Sequence, residues 1–228
     1  MDKQPRYRHE LKYDISLFDY FIMRGRLKAV MQSDPHTVDG KYKIRSIYFD
    51  NYNDKALREK IDGVQKREKF RIRYYNDDLS VISLEKKMKI NNLCMKASAR
   101  LTEKECRKIL DGDIDWMPNH PDSLVKEFYT KIKSGLLRPR VLVSYTREPY
   151  IYKAGNVRVT FDMDVRSTVF HKDFLEKDVL DIGVTDESGR MILEVKFDDF
   201  LPEVIADIVQ IDKGQTAYSK YGACRKFG

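Results

Sequence analysis

Residues 66–75, KREKFRIRYY, constrain the fold of this chain most strongly. At the two-residue repeat of a β-strand, Lys69, Arg71 and Arg73 lie on one face. The opposite face carries Phe70, Ile72 and Tyr74. Because like charges one pleat apart repel each other, a face made only of cations needs an anionic group nearby. The segment therefore predicts a strand with one packed face and one face that meets an anion.

The same alternation of charged and apolar residues occurs in four other segments. These segments are RHELKY, SLEKK, VRVTFDMD and ILEVKFD. Glu-x-Lys appears three times, at 10/12, 85/87 and 194/196, and VRVTFDMD places Asp162 and Asp164 on the face of Arg158. An antiparallel sheet with one solvated face would explain any one of these strands. Five strands with mixed charges favour a closed barrel with a polar, charged interior.

The remaining patterns predict further strands and several helices. Strands are expected at 6–13, 42–50, 67–75, 80–88, 95–101, 140–147, 156–165 and 190–198. Hairpin turns are expected at 91–93 and 155–156. A helix is expected after Ser16, with a buried face comprising Leu17, Phe21, Ile22, Leu27 and Val30. Others should start at the Thr102/Glu105 capping box, at Asp122 and at Pro202, the last spanning 202–211. The fold class is α+β: an antiparallel β-barrel (tunnel) with helices outside, in a single domain over 1–228.

Composition narrows the class of partner and compartment. The net charge of +7 favours anionic partners, which leaves nucleic acid, membrane surfaces and phosphorylated small molecules open. No window reaches the roughly 18 apolar residues of a membrane span, and the first residues lack the apolar core of a signal peptide. Three cysteines without metal-type spacing indicate a reducing, cytoplasmic compartment.

A barrel interior with mixed charges favours triphosphate chemistry. Isolated buried charges are very costly, so such an interior requires water, metal and a polyanionic ligand. Arginine forks suit phosphate oxygens, whereas carboxylates beside phosphate require a bridging divalent cation such as Mg²⁺ or Mn²⁺. The sequence has no Ser/His/Asp or Cys/His pattern for nucleophilic catalysis. Tyr145 and Tyr48 are better explained by packing than by contact with phosphate.

Eight motifs, taken in order, resemble a known family. They are RHELKY, RSIYFDN, EKFRIRYY, LEKKMK…KASAR, VSYTREPY, VRVTFDMD, LEVKF and AYSKYG. Over about residues 6–222 the chain resembles the polyphosphate polymerase domain of vacuolar transporter chaperone proteins and their bacterial relatives, within the CYTH-like triphosphate tunnel metalloenzymes. The resemblance implies a divalent metal, Mn²⁺ or Mg²⁺, and ATP or another triphosphate and polyphosphate as partners. It implies transfer of the ATP γ-phosphate to a polyphosphate chain, or hydrolysis of triphosphate in other branches.

The resemblance and the charge alternation of the strands together assign site residues, with Lys69, Lys196, Glu10 and Glu85 coming from the alternation. The catalytic set is Lys12, Arg71, Arg73 and Glu194. The residues expected to contact phosphate are Lys12, Lys69, Arg71, Arg73, Lys87, Lys96, Arg147, Arg158, Lys196 and Lys220. The residues expected to bind metal are Glu194, Glu10 and Glu85. Two positions depart from the family pattern: Arg8 replaces the first glutamate of Glu-x-Glu-x-Lys, and Ala217 replaces a C-terminal lysine for which Lys213 is a candidate substitute.

Three functions remain as alternatives at this stage. The first is a phosphotransferase or triphosphatase, and the second is a module that binds polyphosphate or nucleotide without turnover. The third, a nucleic-acid binder, has no RNP-type or helix-turn-helix signature to support it. Glutamates among the cations favour an enzyme, because binding alone would prefer an unbroken cationic lining. No nucleic-acid partner is expected, and although no membrane segment is expected either, a membrane-bound partner is compatible with the sequence.

Overall fold

A computed structural model describes residues 7–91, 93–168, 171–184, 191–211 and 214–226. Within these residues the strands are β1 (His9–Ile15), β2 (Gln32–Ser33), β3 (Tyr42–Asp50), β4 (Lys66–Tyr75), β5 (Asp78–Ile90), β6 (Leu93–Leu101), β7 (Arg138–Tyr152), β8 (Val157–Thr168), β9 (Ile182–Gly183) and β10 (Met191–Phe197). The α-helices are α1 (Leu17–Val30), α2 (Lys55–Ile61), α3 (Glu103–Asp111), α4 (Ser123–Gly135), α5 (Glu203–Val209) and α6 (Lys220–Cys224). Short 3₁₀ helices cover Met117–Asn119, Ala154–Asn156 and His171–Leu175.

The long strands form one antiparallel sheet that curls on itself. Its strand order is β1-β10-β8-β7-β3-β4-β5-β6, with β2 paired to β7 and β9 paired to β8. The two terminal strands do not pair along their length. They meet at one antiparallel bridge, in which Arg8 and Cys94 exchange both backbone hydrogen bonds at 3.0 and 2.9 Å. The result is the nearly closed antiparallel barrel that the charge alternation predicts.

On β4 and β10 the apolar faces point outward and are covered by helices, whereas on β3 and β7 apolar side chains such as Ile44 and Val143 face inward against α6, contrary to the expected fully charged interior with helices only outside. Phe70 stacks on Phe128 of α4 with ring centroids 5.2 Å apart, and Ile72 and Tyr74 belong to the same buried cluster. On the opposite wall, α1 and α5 pack over a second cluster that contains Leu193 and Val195 of β10. Burying these side chains outside the barrel directs the charged side chains of the same strands inward. The predicted polarity of the strand KREKFRIRYY is therefore correct.

Helix starts follow the sequence signals closely. Ser16 and Asp19 form a complete capping box, as do Thr102 and Glu105, and the Asp122 side chain accepts the backbone N–H of Leu124. These side chains satisfy backbone N–H groups that have no partner within the first helical turn. The helix expected over 202–211 is shorter and spans Glu203–Val209.

The predicted buried face of α1 is largely wrong. Leu27 is buried, but Leu17, Phe21, Ile22 and Val30 are exposed, and the other buried residues are Tyr20 and Met23. The rotation of the helix is set by a polar contact, because the Tyr20 hydroxyl donates a 2.6 Å hydrogen bond to the buried Glu148 of β7. The Tyr20 ring also packs edge-on against Phe161. An apolar count along the helix could not detect this anchor.

Asp164 does not share the face of Asp162, contrary to the prediction. Its φ of 49° is in the left-handed region, and the β7–β8 register shifts at this point. One additional residue in β8 reverses the alternation, so the Asp164 side chain is 62% exposed while Asp162 is fully buried.

The sequence analysis also missed two short helices, α2 and α6. Each is too short for a three-to-four residue repeat to become visible. In the turn expected at 91–93, Asn91 adopts a positive φ of 48°, and residue 92 lies outside the described residues, as do Lys213 and position 190. Within the described ranges, no helix combines the length and apolar character needed to cross a membrane.

Candidate active site in the barrel interior

Two glutamates and two lysines from β1 and β10 form the centre of the barrel interior. Glu10 and Glu194, named here the inner acidic pair, share the ammonium groups of Lys12 and Lys196. The Nζ of Lys12 lies 3.2 Å from Glu194 Oε1 and 3.6 Å from Glu10 Oε1. The Nζ of Lys196 lies 3.0 Å from Glu194 Oε2 and 3.7 Å from Glu10 Oε1. The Glu-x-Lys repeats on neighbouring strands therefore interleave into one charged cluster.

Strands β7 and β8 extend this cluster through Arg147 and Asp162. Arg147 donates to both oxygens of Asp162, at 2.5 and 2.7 Å, and to Glu194 Oε2 at 3.1 Å. Lys220 of α6 forms an ion pair with the same aspartate, and its Nζ lies 4.7 Å from the Tyr145 ring centroid. Helix α6 thus packs against the inner side of β7 and β8 and closes part of the interior.

A second group lies on β4 and β5. Arg71 donates to Glu85 Oε2 at 2.7 Å and to the Tyr48 hydroxyl at 2.8 Å. Arg73 donates to Ser46 Oγ and to the Tyr145 hydroxyl, both at 2.9 Å. Lys96 donates to Glu85 Oε1 at 2.9 Å from the neighbouring strand. The tyrosines therefore do more than pack, because their hydroxyl groups orient the two arginines.

The interior carboxylates are held in their ionised form. Burial raises the pKa of Glu10, and Glu194 also raises it, but Lys12, Lys87 and Lys196 outweigh both effects and lower the pKa to about 2. Burial likewise opposes ionisation of Glu85, yet Arg71, Arg73 and Lys96 bring its pKa well below the ordinary value. The pKa of Glu194 is also lowered, by Lys196 and Lys12 against burial.

Lys69 is an interior cation that forms no ion pair with a carboxylate among the described residues. Burial lowers its pKa to about 7, Tyr48 opposes that shift in part, and the like charges of Lys87, Lys12 and Arg71 add to it. Its Nζ lies 5.3 Å from the centroid of the Tyr48 ring. For Tyr48, burial raises the pKa, but Arg71, Lys69 and Arg73 outweigh it and lower the pKa to about 7. An incoming anion would relieve this excess of positive charge.

The structure brings most of the predicted site residues together. Lys87 contacts Glu10, so β5 joins the inner acidic pair to the group on β4. Arg158 is the exception, because its guanidinium binds Asp34 at 2.6 Å and the Tyr42 hydroxyl at 2.7 Å rather than the central carboxylates. Ser46 went unnoticed in the sequence, since a lone serine in a strand carries no signal.

The two departures from the family pattern lie at the edge of the interior. The Arg8 Nε is 3.0 Å from Asp198 Oδ1, so this side chain forms an ion pair where a glutamate would supply a further carboxylate. Ala217 is exposed and lines a cavity of about 480 Å³ beside β1. The adjacent segment is tied to β1, because the Thr216 N–H donates to the Lys12 carbonyl at 2.8 Å.

Comparison with known proteins agrees with this geometry. A family model for the VTC domain matches residues 7–227. The chain belongs to the VTC domain family. A comparison with curated proteins gives no significant match.

Solved structures similar to this VTC domain protein share its fold at low sequence identity. A proposed adenylate cyclase from Bacillus halodurans is 12% identical with a TM-score of 0.52, over 85% of this chain and 82% of that chain. The PH1819 protein from Pyrococcus horikoshii is also 12% identical with a TM-score of 0.50, over 97% of this chain and 100% of that chain. These similarities support the tunnel fold that the family membership implies.

The inner acidic pair fits a divalent metal in one specific way. The described part of the chain contains no group of three or more acidic, histidine or cysteine side chains that could enclose a metal ion. Glu10 Oε1 is buried, however, and accepts no hydrogen bond. Mg²⁺ usually binds through one or two carboxylates and completes its shell with water and phosphate oxygens. Through this oxygen Glu10, with Glu194 beside it, fits a metal that arrives with a phosphate ligand, whereas both side-chain oxygens of Glu85 accept hydrogen bonds, from Arg71 and Lys96.

Proposed function

We propose that this VTC domain protein is a metal-dependent enzyme that transfers the γ-phosphate of ATP to the end of a polyphosphate chain. One observation carries the proposal: an ionised carboxylate pair lies among an excess of arginines and lysines inside a barrel of this family. A protein that only binds polyphosphate would need cations but no carboxylates in this interior. A retained carboxylate pair weakens binding of phosphate unless it also holds a divalent cation.

The residues of the chain divide the work of this reaction. Arg71 and Arg73, oriented by tyrosine hydroxyls, present planar forks to the non-bridging phosphate oxygens. Lys12 and Lys196 place point charges beside the inner acidic pair, where the reacting phosphoryl group would lie. When bound by Glu10 and Glu194, Mn²⁺ or Mg²⁺ would polarise phosphate oxygens and offset developing charge.

The bond changes need no protein nucleophile. The bond between the γ-phosphorus and the bridging oxygen breaks, and a bond to the terminal oxygen of the acceptor chain forms. ADP leaves with the bridging oxygen, and the chain becomes one phosphate longer. Catalysis of this kind depends on alignment and electrostatic stabilisation, which a rigid, charged barrel interior supplies.

Hydrolysis of a triphosphate is the second candidate, with water in place of the acceptor chain. Helix α6 favours it, because Tyr221 stacks on Tyr48 and donates to the buried Asp50, which fills the interior beside β3. A growing chain would then share the remaining opening with incoming ATP. Water requires no such space.

Phosphorus NMR distinguishes these candidates in one experiment. Purified protein is incubated with ATP and Mn²⁺ or Mg²⁺, and the products are followed by ³¹P NMR. A polymerase yields ADP and the signal of internal chain phosphates, whereas a hydrolase yields ADP and orthophosphate only. If neither product forms from ATP or tripolyphosphate with either metal, the enzyme proposal fails and a binding module replaces it.

The proposed function includes a location in the cytoplasm. Cys94, Cys106 and Cys224 are unpaired, and Cys106 and Cys224 are buried. Free buried thiols are common in reducing compartments, so we place the protein in the cytoplasm, where ATP and divalent cations are available. ATP or another triphosphate and polyphosphate are its proposed partners, with no nucleic acid among them.

A further inference from the structure

The cations of β4 and β5 change character along the strands. In the antiparallel register, Arg71 lies opposite Glu85, so a cation there meets a carboxylate. One pleat further, Lys69 lies opposite Lys87, and one further still, Arg67 lies opposite Lys89. Like charges directly opposite each other destabilise a sheet. Along the β4–β5 pair, cations therefore face a carboxylate in the interior but face only other cations at the end that carries Arg67 and Lys89.

Helix α2 adds another cation to this end of the β4–β5 pair. Lys60 of α2 has a lowered pKa, for which burial is the main cause and the nearby Arg67, Lys12, Lys226 and Lys89 are the other causes. We name Lys60, Arg67 and Lys89 the mouth cations. All three are half-buried and line the cavity of about 480 Å³ that also contains Lys12, Lys69 and Lys87.

Within the described residues, the mouth cations form no ion pair with a carboxylate. Arg67 donates only to the carbonyl of Val64. The neighbouring Glu68 also lines this cavity, but its carboxylate pairs with Lys86 and Lys131 and not with a mouth cation. The contrast with the interior is clear, since Lys12, Lys87 and Lys196 each contact Glu10 there.

We propose that the mouth cations form a separate phosphate site that binds the part of a polyphosphate chain extending beyond the triphosphate held in the interior. A cluster of like charges without counter-charge is unfavourable in the free protein and becomes favourable when a polyanion lies among it. Only a linear polyanion can occupy the interior and the mouth together, because ATP ends in a nucleoside and tripolyphosphate is short. This inference rests on the proposed function for its interior site and adds a preference for long chains.

Calorimetric titration without metal tests the site while turnover is prevented. The ligands are tripolyphosphate and polyphosphate of several tens of units, at one ionic strength, and the quantity compared is the ratio of their dissociation constants. The test variant is the double substitution Lys60→Gln with Lys89→Gln. The matched control is Lys104→Gln with Lys126→Gln, which removes the same charge from exposed positions on α3 and α4.

We expect the double mouth variant to weaken long-chain binding by about tenfold or more, since each lost charge-assisted hydrogen bond costs affinity. Tripolyphosphate binding should change by less than about twofold, and the control should preserve the wild-type ratio. The melting temperature of the free mouth variant should rise, because like-charge repulsion is relieved. A merely structural role would not combine higher stability with weaker long-chain binding.

Several outcomes overturn the inference, and they differ from failure of the proposed function. Equal weakening of both ligands, or no change in either, removes the separate mouth site while the interior site stands. If single-stranded DNA binds as tightly as polyphosphate and is weakened equally by the mouth variant, the site is a nucleic-acid surface instead. If the wild type binds neither phosphate ligand, the interior site fails as well. Turnover that fails in the NMR experiment leaves this binding test unaffected.

Discussion

Lys12 and Glu194 lie directly opposite each other in the antiparallel pair of β1 and β10, with Nζ and Oε1 3.2 Å apart. The carboxylate of Glu194 is also contacted by Arg147 and Lys196, so three cations converge on one buried anion. Such an arrangement leaves local positive charge in excess. A substitution of Glu194 can therefore distinguish binding of phosphate from turnover.

Glu194→Gln should abolish turnover while preserving binding. The amide keeps the shape of the side chain but loses the charge that recruits a divalent cation, so we expect metal-dependent turnover to fall by at least two orders of magnitude. Metal-free affinity for tripolyphosphate should be unchanged or tighter, because a negative charge has left a cationic cavity. Turnover by ³¹P NMR and binding by calorimetry measure the two effects.

The control for this prediction is Glu148→Gln, a buried glutamate on the outer side of the barrel that contacts Tyr20 and Arg24. Its loss should lower stability and leave the dependence of turnover on metal concentration unchanged. Turnover in Glu194→Gln equal to wild type would show that Glu194 does not bind the metal.

Arg71→Lys should weaken phosphate binding with and without metal. Lysine keeps the charge but cannot donate to Glu85, Tyr48 and a phosphate in the planar geometry of a guanidinium. We expect the dissociation constant for tripolyphosphate to rise by about tenfold, which corresponds to roughly 1.4 kcal/mol. Arg45→Lys, on the outer face of β3, is the matched control and should leave affinity unchanged. Wild-type affinity in Arg71→Lys would place the triphosphate elsewhere.

The titration of Lys69 predicts how stability changes with pH. Its pKa of about 7 in the folded protein is below the ordinary value of 10.5, so the unfolded chain binds more protons between these values. Stability must therefore rise with pH from about 7 towards 10. In Lys69→Gln this contribution disappears. The free energy of unfolding of the wild type minus that of the variant should therefore increase as pH rises.

Urea denaturation at pH 7, 8 and 9 measures this difference, and Tyr48, whose pKa Lys69 helps to lower, changes it in the same direction. The exposed Lys104→Gln is the control and should show no such trend. A constant difference between wild type and Lys69→Gln over this range would mean that Lys69 keeps an ordinary pKa.

Gly25→Ala should stabilise the protein. Gly25 lies within α1, and a Cβ added there would meet no atom within 4 Å. Alanine is favoured over glycine in a helix by about 1 kcal/mol, so we expect the melting temperature to rise by about 2–4 °C. Gly155→Ala is the opposite case, since its Cβ would lie 2.5 Å from the Phe200 carbonyl and its φ is 68°. A destabilised Gly25→Ala would indicate that this face of α1 needs close contact.

Alternation along single strands predicted the central features of the fold. Lys69, Arg71 and Arg73 on one face and Phe70 on the other follow from the pleat alone, whatever the partner strands are. The helix cap at Ser16 and the capping box at Thr102 were predicted for a similar reason, since these hydrogen bonds join residues three positions apart. The resemblance added the tunnel and most of the basic residues assigned to it, and the family match bears out the membership.

Single-strand patterns failed where a distant contact or a local distortion decides the outcome. The bulge at Asp164 reverses the alternation of β8, and the Tyr20–Glu148 hydrogen bond sets the rotation of α1. Arg67 and Lys89 continue the charge alternation, which was a usable signal, but Lys60 joins them only through the position of α2. Neither the Tyr20–Glu148 contact nor the position of Lys60 beside Arg67 and Lys89 can be read from the local sequence.

Where the strands are regular, the sequence by itself determined which side chains enter the barrel, because strand periodicity depends only on neighbouring residues. Only the tertiary structure decided which charges meet inside. Lys12 finds Glu194 and Arg71 finds Glu85 through strand register, whereas the mouth cations find no carboxylate among the described residues. Electrostatic energy depends on distance in space rather than along the chain. The balance between compensated and free positive charge therefore exists only in the folded barrel.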